Sequence, residues 1–323
     1  MQAKRRIGLI MPPRNPSERV VSGSGIVDAA TVDALTSLLQ KAPGVDAVVP
    51  LSLGNAYVKN GKVYAGDVCV SDLDTVFWLY YVGDNAFAWD MLHILAQTTR
   101  VVPDPAASYR TRNKYYAHAT LRAAGVPTTD FCVFDAAAAE DMAVALKDWG
   151  DVLLKPVLGD FGHGIVKTGD ARAFVDTVGY AQSFSDKPLQ IFCERFERNN
   201  LARWVSVTVI DGKAVFGYRK RDSAFVDGWK VYDAGRVGGN ADYVDVSASP
   251  VAALAEKAAR ALGCDIVGLD FIYSARTNSY LIVDENTLPG MYADCFAAAG
   301  TGSLAAHLAR MVLGNTGNKA RAA

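Results

Sequence analysis

The sequence predicts a mixed α/β (α+β) fold, and three observations carry that prediction. Over roughly the first hundred residues, short apolar strands alternate with helical stretches, the pattern of an open α/β sheet. Further on, Asp211-Gly212 lies between two alternating apolar runs, the strongest hairpin signal in the chain. Finally, Val267 to Gly290 reads as two strands joined by a polar turn and rich in oxygen-bearing side chains. With 323 residues, the chain has room for two or three packed subdomains.

Taken in order, Ile7 to Met11 is a short buried strand stopped by Pro12-Pro13. Apolar spacing predicts a helix over Val27 to Leu39, and Asp46 to Pro50 is a second strand. Lys59-Asn60-Gly61-Lys62 is a hairpin turn. Thr75 to Tyr81 is apolar on both faces, as a central parallel strand requires. Phe87 to Ala96 is helical, and Arg100 to Pro103 is extended. The loop from Arg14 to Gly25, with Ser22-Gly23-Ser24-Gly25, leaves the first strand at the end where ligands bind such sheets. Its glycine spacing matches no dinucleotide fingerprint.

Thr111 to Ala124 is predicted as one helix closed by Gly125, with Lys114 in its first turn. By spacing alone, Lys114 is a solvated helix lysine. Asp151 to Pro156 is a strand that exits at Lys155 into Gly159-Asp160-Phe161-Gly162-His163-Gly164, followed by Ile165 to Lys167. Glycines let backbone N–H groups approach phosphate oxygens while a lysine supplies charge. An ordinary hairpin tip has the same composition, and His163 reads as a polar loop residue. Leu189 to Phe196 is a strand with Glu194 near its end, either solvated or holding a ribose hydroxyl.

Trp204 to Ile210 and Lys213 to Arg219 flank the Asp-Gly turn. The basic cluster Arg219-Lys220-Arg221 is a solvated turn or a phosphate clamp. Ala224 to Gly239 reads as an irregular Gly-rich loop of the kind that carries binding residues. Ser249 as N-cap and Pro250 at the first helical position open a helix ended by Gly263. Its buried stripe is Val251, Leu254, Ala255, Ala258, Ala261 and Leu262. Leu304 to Leu313 is a last helix before a polar tail.

Within Val267 to Gly290, Asp284 and Asn286 share one face of their strand and Glu285 points away, because side chains alternate. If the two strands pair, Asp270 lies across from them. Three oxygen donors on one face suit a hard cation such as Mg2+, which is usually bound jointly with phosphates. A polar strand end beside a turn is the other reading.

Composition excludes several classes. The net charge of -1 gives nucleic acid or anionic membrane no electrostatic hold as a main partner. Five cysteines without a Cys-x-x-Cys signal neither a disulfide framework nor a zinc site, and they fit a reduced, cytoplasmic setting. No signal-peptide core is apparent, and no run approaches the roughly 18 apolar residues of a membrane span.

Lys114, then Val152-Leu153-Leu154-Lys155-Pro156 with its Gly-rich turn, then Asp270, then Asp284-Glu285-Asn286, resemble the ATP-grasp fold. Order and spacing are most similar to the RimK-like carboxylate–amine ligases, over roughly residues 100 to 310. The resemblance implies three parts: residues 1–108 as a pre-ATP-grasp α/β domain, 109–187 as a central subdomain, and 188–323 as a C-terminal subdomain with the metal site. It implies that Lys114 and Lys155 reach ATP phosphates, that Gly159, Gly162 and Gly164 cover them, and that Glu194, Arg195 and Phe196 form the hinge against adenine. Asp270, Asp284 and Asn286 are the implied Mg2+ ligands, with Glu285 as an alternate and Mn2+ as a substitute ion. Arg219 or Lys220 is the implied contact to the transferred phosphoryl group.

The implied reaction joins a small-molecule carboxylate to an amino acid through an acyl phosphate. Similar enzymes add glutamate to pterin- or furan-type coenzymes. A homo-oligomer is compatible with this reading. A kinase on the same fold and a non-catalytic nucleotide-binding protein are its rivals. Two regions depart from the RimK-like pattern: Ala202-Arg203-Trp204-Val205-Ser206 replaces its Asp-x-Arg, and Ala234 to Gly239 lacks its leading Asn.

Overall fold

The parallel sheet that opens the chain forms because its strands are apolar on both faces. The computed structural model describes residues 4–11, 29–79, 82, 85–159, 162–198, 201–220, 224–226, 230–232 and 241–314. The loop Arg14 to Gly25, Tyr80, Tyr81, Asp160, Phe161, Arg221 and much of Ala224 to Gly239 therefore lie outside the described residues.

The first unit runs β1 (Arg5–Met11), α1 (Ala29–Gln40) and β2 (Val45–Ser52). A small antiparallel sheet follows: β3 (Ala56–Lys59), β4 (Lys62–Ala65) and β5 (Val68–Cys69). Its first turn holds Asn60 and Gly61 at φ 51° and 75°, the conformation an Asn-Gly hairpin needs. Then come β6 (Thr75–Trp78), α2 (Ala86–Leu95) and β7 (Arg100–Val102), completing a sheet ordered β2-β1-β6-β7. Every residue of β6 is buried, which explains its lack of polar alternation.

The helix expected over Thr111 to Ala124 starts only at Lys114, and a separate short helix that was not expected precedes it. α3 (Pro105–Thr111) ends, and α4 (Lys114–Ala123) starts afresh after Asn113, whose side chain accepts from the Tyr116 N–H. The cap satisfies a donor that a continuous helix would have bonded internally. The Lys114 N–H bonds the Val157 carbonyl, seating the first turn of α4 on the strand that carries Lys155.

The second sheet comprises β8 (Phe131–Asp135), α5 (Ala139–Ala145), β9 (Val152–Pro156), β10 (Val166–Thr168), α6 (Ala171–Gln182) and β11 (Gln190–Arg195). Its order is β10-β9-β11-β8. Phe134, Leu154, Phe174, Val178 and Cys193 form its core beneath α5 and α6.

The third sheet begins with β12 (Val205–Ile210) and β13 (Lys213–Lys220), joined by Asp211 and Gly212 at φ 52° and 72°. β14 (Ala224–Val226) and β15 (Lys230–Tyr232) pair with each other inside the stretch expected to be irregular. β16 (Ala241–Val244), α7 (Pro250–Leu262), β17 (Ile266–Ser274), β18 (Ser279–Asn286), α8 (Ala293–Ala299) and α9 (Leu304–Leu313) complete the chain. The order is β16-β13-β12-β17-β18.

One face of this sheet packs Val207, Leu269, Phe271 and Ile282 against α7 and α4. The other packs Ile210, Phe216 and Ile266 against α8, α9 and the first sheet. On α7, Ala259 is buried where Leu254 and Ala261 were expected, and those two are only partly covered.

A bulge shapes the β17–β18 pair. Asp270 lies opposite Asp284 and Phe271 opposite Ile282, so Val283 has no counterpart. In a regular strand Ile282 and Asp284 would share a face. The extra residue separates them, sending Ile282 to the helix-covered core and leaving Asp284 on the open face.

Two pairs from Asp270 and Asp284, Gly268 lies opposite Asn286, and a Cβ there would sit 2.5 Å from the Pro289 Cβ. Gly268→Ala is expected to cost about 1–3 kcal/mol in urea unfolding, as overpacking does. Stability equal to the parent would contradict this close approach.

Candidate functional site

A single row of side chains crosses the third sheet. Register places Tyr218, Ser206, Asp270 and Asp284 side by side on β13, β12, β17 and β18. The Ser206 hydroxyl donates to Asp270 Oδ1 at 2.5 Å. The Tyr218 hydroxyl accepts from the Gly290 N–H at 3.3 Å, and Thr208 donates to the Gly290 carbonyl at 2.9 Å. These two bonds hold the segment after β18 against the carboxylate face. Burial, then the nearby Asp270 charge, pushes the Tyr218 phenol well up. Asn286 shares this face, and its Oδ1 accepts from the Leu288 N–H at 2.9 Å. Tyr218 and Thr208 were not read as site residues, because alternate apolar strand positions carry no local sign of what they face.

Helix α4 lies along the edge strand β18. It presents Lys114 and His118 at the i, i+4 spacing that stacks two side chains on one face. Lys114 Nζ donates to Asp284 Oδ1 at 2.5 Å. Asp284 keeps 43% of its side chain exposed. Burial opposes its ionisation, but the Lys114 and Lys155 charges outweigh that and hold the carboxyl below its usual range. Lys155 is buried on β9; its Nζ contacts Glu194 Oε2 at 2.5 Å and donates to the Val283 carbonyl at 3.2 Å. Val283 is the bulged residue, so the bulge also presents the carbonyl that orients Lys155.

His118 is fully buried, with Nε2 2.9 Å from Glu194 Oε1 and Nδ1 3.1 Å from Glu285 Oε1. Phe131 and Phe192 meet its ring edge-on. The contacts are ion pairs by distance and are not aligned as hydrogen bonds. Burial alone would lower the imidazole pKa, but the Glu285 and Glu194 carboxylates raise it to about 9. Glu194 is held down to about 2: burial opposes ionisation, and Lys155 and His118 overcome it. Glu285 thus faces His118 and lies off the face that carries Asp270 and Asp284. His118 was missed, although its spacing from Lys114 is a usable signal.

Other expected positions are distributed as follows. Gly162 and Gly164 both have φ 71°, which favours glycine, and a Cβ on Gly159 or Gly164 would crowd Pro156. Arg195 and Phe196 lead out of β11, the Phe196 N–H bonding the Asp151 carbonyl at 2.9 Å and its ring lying 4.5 Å from Lys167 Nζ. The Glu194 side chain turns inward to Lys155 and His118 as an internal counter-charge. Arg219 alternates off the face of Tyr218, and its Nε donates to the Trp204 carbonyl at 3.0 Å. Lys220 pairs with Ala241 at the end of β13, and its side chain lies outside the described residues.

Among the described residues no three His, Cys, Asp or Glu side chains converge as a metal centre. The donor set available is two carboxylates, Asp270 and Asp284, plus the Asn286 amide oxygen. All are hard oxygen donors, and the Lys114 ammonium on Asp284 shows that the position favours positive charge. This chemistry fits Mg2+ held jointly with phosphate. Two lysines and two carboxylates facing one another suit a polyphosphate whose charge is shared between them.

No family model matches the chain. A curated relative, tetrahydromethanopterin:alpha-L-glutamate ligase of Methanosarcina acetivorans, is 33% identical over 234 residues, covering 67% of this chain and 68% of that protein. The chain belongs to the RimK-like ATP-grasp ligases. It is an ATP-dependent carbon–nitrogen ligase of the carboxylate–amine type. Solved structures share the ligase's fold across nearly its whole length. D-alanyl-alanine synthetase A from Vibrio cholerae matches at TM-score 0.64 and 14% identity, covering 97% of this chain and 98% of that one. A RimK domain ATP-grasp protein from Sphaerobacter thermophilus matches at TM-score 0.62 and 18% identity, covering 96% and 100%. No described helix of the ligase is long and apolar enough to cross a membrane.

The ion pairs around His118 predict how stability depends on pH. Its folded pKa, about 9, lies above the ordinary value of 6.5, so the folded state binds the extra proton between them. The contribution is complete below pH 6.5 and is lost as pH rises through 9. In urea unfolding, the deficit of His118→Gln relative to the parent is expected to be largest near pH 6 and to shrink by pH 10. A deficit that grows with pH would contradict the protonated assignment.

Proposed function

We propose that this ligase adds glutamate, through its amino group, to a carboxylate of a small-molecule coenzyme precursor of the pterin type. The observation that carries the substrate class is the match to a tetrahydromethanopterin:alpha-L-glutamate ligase across two thirds of both chains. The facing of Lys114 and Lys155 with Asp270 and Asp284 supports the chemistry.

In this proposal ATP lies between the two sets. Lys114 and Lys155 take the phosphate oxygens, and the turn at Gly159, Gly162 and Gly164 brings backbone N–H groups over them. Asp270, Asp284 and Asn286 hold Mg2+, which supplies charge neutralisation on the phosphates when bound. Lys114 then moves from Asp284 to phosphate. Lys220 is assigned to the transferred phosphoryl group in preference to Arg219, whose Nε is bonded to the Trp204 carbonyl. An acceptor carboxylate oxygen attacks the γ-phosphorus and ADP leaves, giving an acyl phosphate. The glutamate nitrogen attacks the acyl carbon, phosphate leaves, and the nitrogen gives up a proton to yield the amide. Residues 195 and 196, which lead out of β11, border the adenine. The chain's free thiols support a cytoplasmic setting.

Phosphate release from ATP and Mg2+ is expected to need both a pterin-type carboxylate and glutamate. ADP formation with a carboxylate or alcohol alone, leaving a stable phosphorylated product and no free phosphate, would mark a kinase instead. On the same assay Asp284→Asn is expected to cut turnover by at least about 100-fold, as loss of a phosphoryl-transfer charge partner does, with Glu285→Gln milder. The reverse ranking would place the metal face one residue out of register.

A further inference from the structure

The chain Lys155–Glu194–His118–Glu285 is buried, and none of its last three members is needed to touch substrate. Glu194 belongs to the second sheet and Glu285 to the third, and among the described residues no strand ladder joins those sheets. His118, from a helix between them, meets one carboxylate from each, at 2.9 and 3.1 Å. The consequences reach the cleft from both sides. Glu194 sets the place of the Lys155 ammonium at 2.5 Å. Glu285 is the neighbour of Asp284, so whatever fixes Glu285 fixes the strand position of the carboxylate. Lys114, one turn before His118, closes the circuit on Asp284. Both carboxylate oxygens of Glu285 are buried without an aligned hydrogen bond, leaving His118 as the charge that offsets them among the described residues. A carboxylate so placed is expensive to bury for packing alone, since apolar residues of similar size would fill the space at less cost.

We infer that His118 is a positioning residue: by pairing with Glu194 and Glu285 it sets the distance between the lysine side and the carboxylate side of the nucleotide cleft. This rests on the proposed ATP site. Its physical content is a coupling. Cation and nucleotide strengthen each other's binding only when Asp270 and Asp284 are aligned with the phosphates that Lys114 and Lys155 hold. Loss of the link leaves each half of the cleft intact and uncouples them.

The test measures ADP affinity by calorimetry, with and without Mg2+, on the full chain. For the parent, Mg2+ is expected to tighten ADP on the order of 10-fold, within the range of coupled sites. In His118→Gln, ADP affinity without Mg2+ is expected to stay within about 3-fold of the parent, while the Mg2+ enhancement falls to near one. A purely structural role would lower the melting temperature and leave the enhancement per folded molecule unchanged, and that result overturns the inference. Should His118→Gln fail to fold, Glu285→Gln, which keeps the side chain's size, is read the same way: reduced enhancement supports the link and parental enhancement overturns it. A parent chain that binds no ADP overturns the reading of the cleft itself, a different failure from parental Mg2+ coupling in the variants.

Discussion

The buried ion-pair chain around His118 is the constraint on which the rest of the site depends. Charges taken out of water are costly, and removing one partner strands the others. Here four groups from two sheets and one helix are assembled so that each has an opposite neighbour. Other contacts also join the regions around the second and third sheets. They include the N–H of Ile282 on the Pro127 carbonyl and the grip of Arg276 on Glu197 and Asp130. A helix that meets both sheets with charged side chains converts those contacts into a defined spacing.

The bulge at Val283 adds a second layer of control. An edge strand must bury Ile282 and still present Asp284 to solvent, two demands that strict alternation sets against each other. One extra residue reconciles them and frees a carbonyl for Lys155. Tyr218 and Thr208 then pin Gly290, so the segment leaving β18 stays beside the carboxylates it follows. Lys155, the carboxylate strand and the segment after β18 are thus held by Glu194, His118, Thr208 and Tyr218.

Much of this was legible in the sequence where the signal is local. Asn60-Gly61 and Asp211-Gly212 specify hairpins by backbone conformation, and Ser249, Pro250 and Gly263 specify both ends of α7. The facing of Asp270 and Asp284, with Glu285 turned away, followed from alternation. What stayed hidden depends on distant partners or on parity. Asn113 starting a helix reads as one polar residue until its cap bond is seen. His118 is a lone histidine until Glu194 and Glu285 converge on it from far along the chain. Arg219 gives no sign of its orientation in the sequence, yet a single step along β13 from Tyr218 takes it off the face of Asp270.

The most direct measurement follows oxygen. An acceptor whose carboxylate carries oxygen-18 is incubated with ATP, Mg2+ and glutamate, and the released phosphate is examined by mass spectrometry. Attack of that carboxylate on the γ-phosphorus transfers one labelled oxygen to phosphate for each amide formed, and this is the result expected of the ligase. Unlabelled phosphate accompanying amide formation would contradict an acyl phosphate, and with it the arrangement of lysines and carboxylates proposed to make one.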